Sequence, residues 1–195
     1  MAIKGSAGRG RAGTRWGYVV AAWGVVFAVP SFLWATGSTF GARSTVAPEL
    51  VRLAQDRVPW FLAVLWVTGV LKLAGAAIGL GLTRLRSRRA ARLLAFCGGG
   101  ATILLVWHGG LFVVHGILAE TGVIPVSADL VPLTRWYLYL WGPWFIAGGL
   151  AFATATARHL HLHLHDDRRR ARHLTTAGAL GALLLSLAST VTGIG

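Results

Sequence analysis

The sequence predicts an all-α fold: a polytopic membrane helix bundle of five transmembrane helices, a four-helix core followed by a less apolar C-terminal fifth. Three observations carry this reading. The chain is 55% hydrophobic yet has a formal net charge of +13. Its charges cluster between long runs that hold almost none. The basic residues, counted segment by segment, fall on alternate connections.

The runs come in order. Trp16 to Thr36 has no charged side chain, and Val58 to Leu82 has one, Lys72. Leu93 to Ala119 holds two histidines and no formal charge, and Trp136 to Ala157 and Leu174 to Gly195 are uncharged. A helix rises about 1.5 Å per residue, so roughly 20 apolar residues cross a hydrocarbon core of roughly 30 Å. Each run is long enough. None alternates as a barrel strand would, and lipid offers no partner to free backbone groups, which leaves the helix as the spanning element. The spans are placed at about 16–36, 58–82, 93–118, 136–157 and 174–194, together forming one transmembrane domain over 16–195. Residues 1–15 read as a basic, unstructured cytoplasmic tail. The connection 37–57 is polar, with room for a short helix from Pro48 to Arg57. Pro125 and Pro132 interrupt the connection 120–135.

Orientation follows from Lys and Arg. The tail, the second connection and the fourth connection hold fourteen basic residues, Arg84 to Arg92 and Arg158 to Arg172 among them. The opposite side holds four, Arg43, Arg52, Arg57 and Arg135, offset by Glu49, Asp56, Glu120 and Asp129. The expected arrangement is a multi-pass plasma-membrane protein, N-terminus cytoplasmic and C-terminus outside. The basic balance then reflects orientation and contact with anionic membrane lipids, and nucleic acid is not an expected partner. The single cysteine, Cys97, excludes an intrachain disulfide. The Ala, Gly and Arg usage, with no asparagine, has the look of a high-GC bacterial gene.

Small residues mark expected helix contacts: Gly17, Ala21, Gly24 and Ala28 in the first span, Gly75 and Gly79 in the second, Gly149, Ala153 and Ala157 in the fourth. Of the nine tryptophans, Trp16, Trp34, Trp60, Trp136 and Trp141 fall near span ends, where an aromatic belt is ordinary. Trp66, Trp107 and Trp144 lie deeper and are candidates to line a cavity.

Lys72 is the sharpest candidate site residue. It lies about 15 Å of helix from the nearer span end, too far for its stem to reach the interface fully. It shares a helical face with Thr68, Gly75 and Gly79, and should therefore point into the bundle. His108 and His115 are seven residues apart on one face of the third span, and Glu120 follows at its end. Lys72, His108, His115 and Glu120 could form a polar line able to move a proton or hold an anionic head group; two histidines bonded across helices are the ordinary alternative. The candidate ligand-binding set is Lys72, Trp66, Trp107, His108 and Trp144. His159, His161, His163 and His165 contain i,i+4 pairs of metal-chelating spacing. Interleaved leucines and the arginines that follow make that segment a solvated juxtamembrane linker instead. No metal and no cofactor are expected. A phosphate-binding loop, a nucleophile elbow and a Cys-x-x-Cys pair are all absent.

The segment Pro59-Trp60-Phe61-Leu62-Ala63-Val64-Leu65-Trp66-Val67-Thr68-Gly69-Val70-Leu71-Lys72 resembles a family of small bacterial multi-span membrane proteins of unknown function. So do Ala22 to Ala28 with Ser31 to Ala35, and Leu140-Trp141-Gly142-Pro143-Trp144-Phe145. The resemblance covers roughly 16–157 and implies a bundle of about four helices with Lys72 inside the pattern. It implies no activity.

Whether the chain is an enzyme stays open. The leading expectation is a protein that binds or transforms a hydrophobic small molecule between helices, with Lys72 and His108 at its polar end. The alternatives are an accessory or structural subunit packed on another membrane protein or on a second copy, and a small transporter component.

Overall fold

The computed structural model describes residues 6–85, 87–163 and 168–192. Every regular element among them is helical. In order they are α1 (Ser6–Ala35), α2 (Ala42–Thr45), α3 (Pro48–Gln55), α4 (Pro59–Arg84), α5 (Arg88–Glu120), α6 (Val131–Trp136), a π-helical turn (Tyr137–Trp141), α7 (Gly142–His163) and α8 (Arg168–Thr192). Four stretches are long and apolar enough to cross a membrane: Arg15–Ala35, Pro59–Arg84, Arg88–Glu120 and Val131–Leu162. They coincide with the first four expected spans. The fifth expected span falls on α8, a 25-residue helix that packs on α5, as far as Thr192; residues 193 and 194 lie outside the described residues.

Helix α1 begins upstream of the expected entry at Trp16. Gly8, Gly10 and Gly13 are poor helix formers, so this extension rests on propagation from a helix already nucleated by the apolar run. Helix α3 starts at Pro48, a residue suited to a first helical turn, and ends close to the expected Arg57. Ser87 caps α5 by accepting a hydrogen bond from the Ala90 amide.

The main contacts between the long helices are α4 on α1, α7 on α5, α5 on α8 and α1 on α7, and α4 also touches α5 and α7. Small residues make each contact. A Cβ added at Gly79 would meet Val20 Cγ1 at 2.7 Å and the Gly17 carbonyl oxygen at 2.8 Å. One added at Gly24 would meet Ala76 Cβ at 3.0 Å and the Lys72 carbonyl oxygen at 3.1 Å. On the other side of the bundle, Gly109 packs on Gly142 and Ile146, Gly98 on Thr156, and Gly99 and Gly100 on α8. The central apolar cluster is Val20, Leu82, Leu94, Ala151, Phe152 and Ala155. Most other large apolar side chains point outward, as on a bundle built for an apolar surround.

The fourth span is not one α-helix. Pro143 has no N–H to give to the carbonyl four residues back and would crowd it. The turn before it widens, so that the Gly142 amide bonds to the Tyr137 carbonyl five residues earlier. The Leu140–Phe145 segment that carries the family resemblance begins in the last two residues of this π turn and runs into α7.

Candidate functional site

Ser31 is the one hydroxyl-bearing Ser or Thr between Trp16 and Ala35. It is 3% exposed. Lys72, on α4, donates a hydrogen bond from Nζ to Ser31 Oγ at 2.7 Å. The same Nζ lies 3.8 Å from the centroid of the Phe27 ring, one helical turn along α1 from Ser31. Lys72 therefore points into the bundle, onto α1. None of the four long apolar stretches contains an Asp or Glu except Glu120, at the very end of α5. Among the described residues the amino group thus has a hydroxyl and an aromatic face, and no carboxylate.

Phe27 is the edge of an aromatic cluster. It packs on Trp23 at 5.0 Å, on Phe145 at 5.0 Å and on Trp141 at 6.3 Å between centroids. Trp23 stacks on Trp144 and donates from Nε1 to the Trp144 carbonyl oxygen at 3.1 Å. The cluster continues from Phe145 to His108 at 4.8 Å and to Phe112 at 5.8 Å, and Phe112 stacks on Tyr137. Lys72 and His108 touch opposite sides of the Phe27–Phe145 pair. The structure joins them through rings and does not place their polar atoms together.

The other expected residues separate further. His108 and His115 are exposed on α5. Glu120 is engaged at the end of that helix, where it accepts from the Tyr139 hydroxyl at 2.7 Å and pairs with Arg135 at 3.4 Å. Trp66 is half exposed and tilts against Phe32. The indole Nε1 atoms of Trp107 and Trp144 are buried with no hydrogen-bond partner. The expected polar line is therefore two places: an inner Lys72–Ser31 pair and an outer Glu120–Tyr139–Arg135 group.

An apolar cavity of about 580 Å³ lies above Lys72, between the ends of α1 and α4 and the short helices α2 and α3. Trp34, Val51, Phe61, Leu65 and Thr68 are among its walls. Phe61, Leu65, Thr68 and Lys72 recur at helical spacing on one face of α4, and Trp34, Ser31 and Phe27 do so on α1. The cavity walls and the lysine thus follow a single α1–α4 seam. Amphipathic α3 roofs it, turning Val51 and Ala54 inward and Glu49 and Arg52 outward. Hydrogen bonds hold the roof: Trp34 Nε1 to the Phe40 carbonyl, Arg57 to the Thr36 carbonyl, and Trp141 Nε1 to the Thr45 carbonyl.

The histidine run divides. His159 is 2% exposed, with Nδ1 2.9 Å from the Leu82 carbonyl oxygen near the end of α4. That contact requires the proton on Nδ1, since a carbonyl can only accept. The solvated-linker expectation is corrected for this residue: His159 continues the buried face of α7 set by Phe152, Ala155 and Thr156. His161 is exposed. His165, with Asp166 and Asp167, lies outside the described residues. Among the described residues no three His, Cys, Asp or Glu side chains converge on a metal-binding position.

Four long apolar helices in an all-helical bundle are the build of a multi-span membrane protein. Residues 24–152 match the model of the family described as protein of unknown function DUF3995, and the chain belongs to that family. The matched range includes Phe27, Ser31, Lys72, the α3 roof and the π turn; His159 and α8 lie beyond it. No curated protein and no solved structure matches the chain.

Proposed function

We propose that this is an integral membrane protein that binds an amphiphilic small molecule with an acidic head and an apolar body. Lys72 contacts the head and the cavity beneath α3 receives the body. The observation that carries this reading is the lysine itself. An amine at mid-span costs about 2.5–3.5 kcal/mol on insertion scales. A lysine with a purely structural role would be bonded to carbonyls or a hydroxyl or reach partly to the interface; Lys72 has a single hydroxyl and a ring, which leaves part of its donor capacity unused. Its remaining N–H groups are available to a ligand acid, and an apolar cavity follows the same seam. His108, across the Phe27–Phe145 pair, borders the cluster from the other side without sharing the head group. In this reading the chain crosses the plasma membrane five times, α8 last, with the arginine clusters cytoplasmic.

Exposed His108 favours a second reading, an accessory subunit. Its ring sits midway along an apolar helix, on an outward face, with no hydrogen-bond partner among the described residues. A second membrane protein or a second copy that covered α5 would supply one.

The deciding experiment is native mass spectrometry of the full chain released from mild detergent. A discrete adduct that disappears in Lys72→Leu supports the ligand reading. A bare chain, or one carrying a second protein that dissociates in His108→Leu, replaces it with the subunit reading.

A further inference from the structure

The Glu120–Tyr139–Arg135 group lies apart from Lys72, on the end of α5, on α6 and on the π turn. A cleft of about 640 Å³ opens there, lined by Glu120, Thr134, Arg135 and Tyr139 with Val126 and Val131. It sits where the apolar stretch of α5 ends and that of the fourth span begins, at the end of the bundle away from the arginine clusters. Its charges are of both signs and unequally used. Glu120 is 33% exposed and faces into the group, accepting from the Tyr139 hydroxyl on one oxygen. Arg135 is 64% exposed and touches the other oxygen through Nε at 3.4 Å. The terminal nitrogens of the guanidinium remain open to a tetrahedral anion, a geometry to which a planar fork is suited. Beside the cleft, Tyr139, Trp136, Leu140 and Ile117 present exposed apolar surface, of the kind that sits against acyl chains below a head group. The π turn contributes directly. It sends Tyr137 inward onto Phe112 while Tyr139 reaches outward to Glu120.

We infer that this cleft is a phospholipid head-group site selective for a phosphate ester that carries a primary ammonium, the phosphoethanolamine class. Arg135 takes the phosphate. The ammonium donates to Glu120, a bond that a quaternary choline head cannot make and that a glycerol head does not reward with charge. The acyl chains lie along the Tyr139, Leu140 and Trp136 surface. This site is independent of Lys72, and neither needs the other.

The test is native mass spectrometry of the full-length protein titrated with phosphatidylethanolamine, phosphatidylcholine and phosphatidylglycerol of identical acyl chains. The wild type should favour the ethanolamine lipid on the order of tenfold, the gain of one charge-assisted hydrogen bond. Glu120→Gln should level the three lipids. Arg135→Gln should weaken all three while leaving their order intact, which keeps the proposal testable if the first variant does not fold. Soluble glycerophosphoethanolamine at matching concentration should not compete. Equal binding of the three lipids by the wild type, a preference that survives Glu120→Gln, or displacement by the soluble head group would each overturn it.

Discussion

At the scale of single residues, Lys72 was legible in the sequence because a lysine in an apolar run has few structural excuses. Its partners were not legible. Ser31 and Phe27 sit on another helix, and only the packing of α1 on α4 selects them. Even so, a lone serine directly after Pro30 in an otherwise apolar run is a signal that could have been read. Among the described residues the lysine makes one hydroxyl bond and no ion pair. Lys72→Leu should therefore leave the melting temperature in detergent unchanged or raise it, since an apolar side chain removes a burial cost without orphaning a charge. Ser31→Ala should cost about 1.5–3 kcal/mol, the worth of a hydrogen bond to a charged group. A large loss of stability in Lys72→Leu would make the lysine structural and end the ligand reading. His159 was misread for the opposite reason. Its alternating neighbours drew attention to local pattern, while the face shared with Phe152, Ala155 and Thr156 decided its burial. His159→Phe strips the Leu82 carbonyl of its imidazole partner. It should lower stability by about 1–3 kcal/mol, measured by denaturant or thermal unfolding of the purified protein.

At the scale of elements, the small-residue pattern predicted where helices meet but not which glycine bears the contact. Gly75 and Gly79 look alike in sequence. In the structure a Cβ at Gly75 would meet only Phe152, at 3.8 Å, whereas at Gly79 it would enter the backbone of α1. Gly75→Ala should then be neutral or slightly stabilising, relieving the helix cost of glycine. Gly79→Ala should destabilise, and Gly79→Leu should prevent α1 and α4 from docking, with both differences read by thermal unfolding. Equal tolerance at the two positions would mean that α1 and α4 do not pack as described. The π turn was invisible to apolar periodicity, which registers a single uninterrupted span. Pro143 was its only warning. Its consequence is that Tyr137 and Trp141 face the bundle and the α2–α3 roof while Tyr139 serves the outer cleft, so one irregular turn links both candidate sites to the same helix.

At the scale of the whole molecule, two properties readable from composition govern the arrangement: apolar run length and arginine placement. Four of the apolar stretches reappear as helices long and apolar enough to cross a membrane, since their length and hydropathy leave the chain little choice. Order across the bundle was not readable, because neighbours in sequence need not be neighbours in space. α4 packs chiefly on α1 and only lightly on α5, at Gly81 against Leu94, even though three residues join the two helices. The position of α8 determines the topology. It opens with Arg168, Arg169, Arg170 and Arg172 and then lies along α5 through Gly178, close to Gly99 and Gly100. If those arginines stay on the cytoplasmic side with Arg84 to Arg92, α8 must cross, and the chain ends on the face opposite its start. A C-terminal alkaline phosphatase fusion should then be active and a C-terminal green fluorescent protein fusion dark, with the reverse for fusions placed after Arg89. An active phosphatase after Arg89 would invert the whole bundle. A fluorescent C-terminal fusion alone would leave α8 on the membrane surface and make the protein a four-span bundle, a result that would leave the Lys72 seam and the Glu120 cleft where they are.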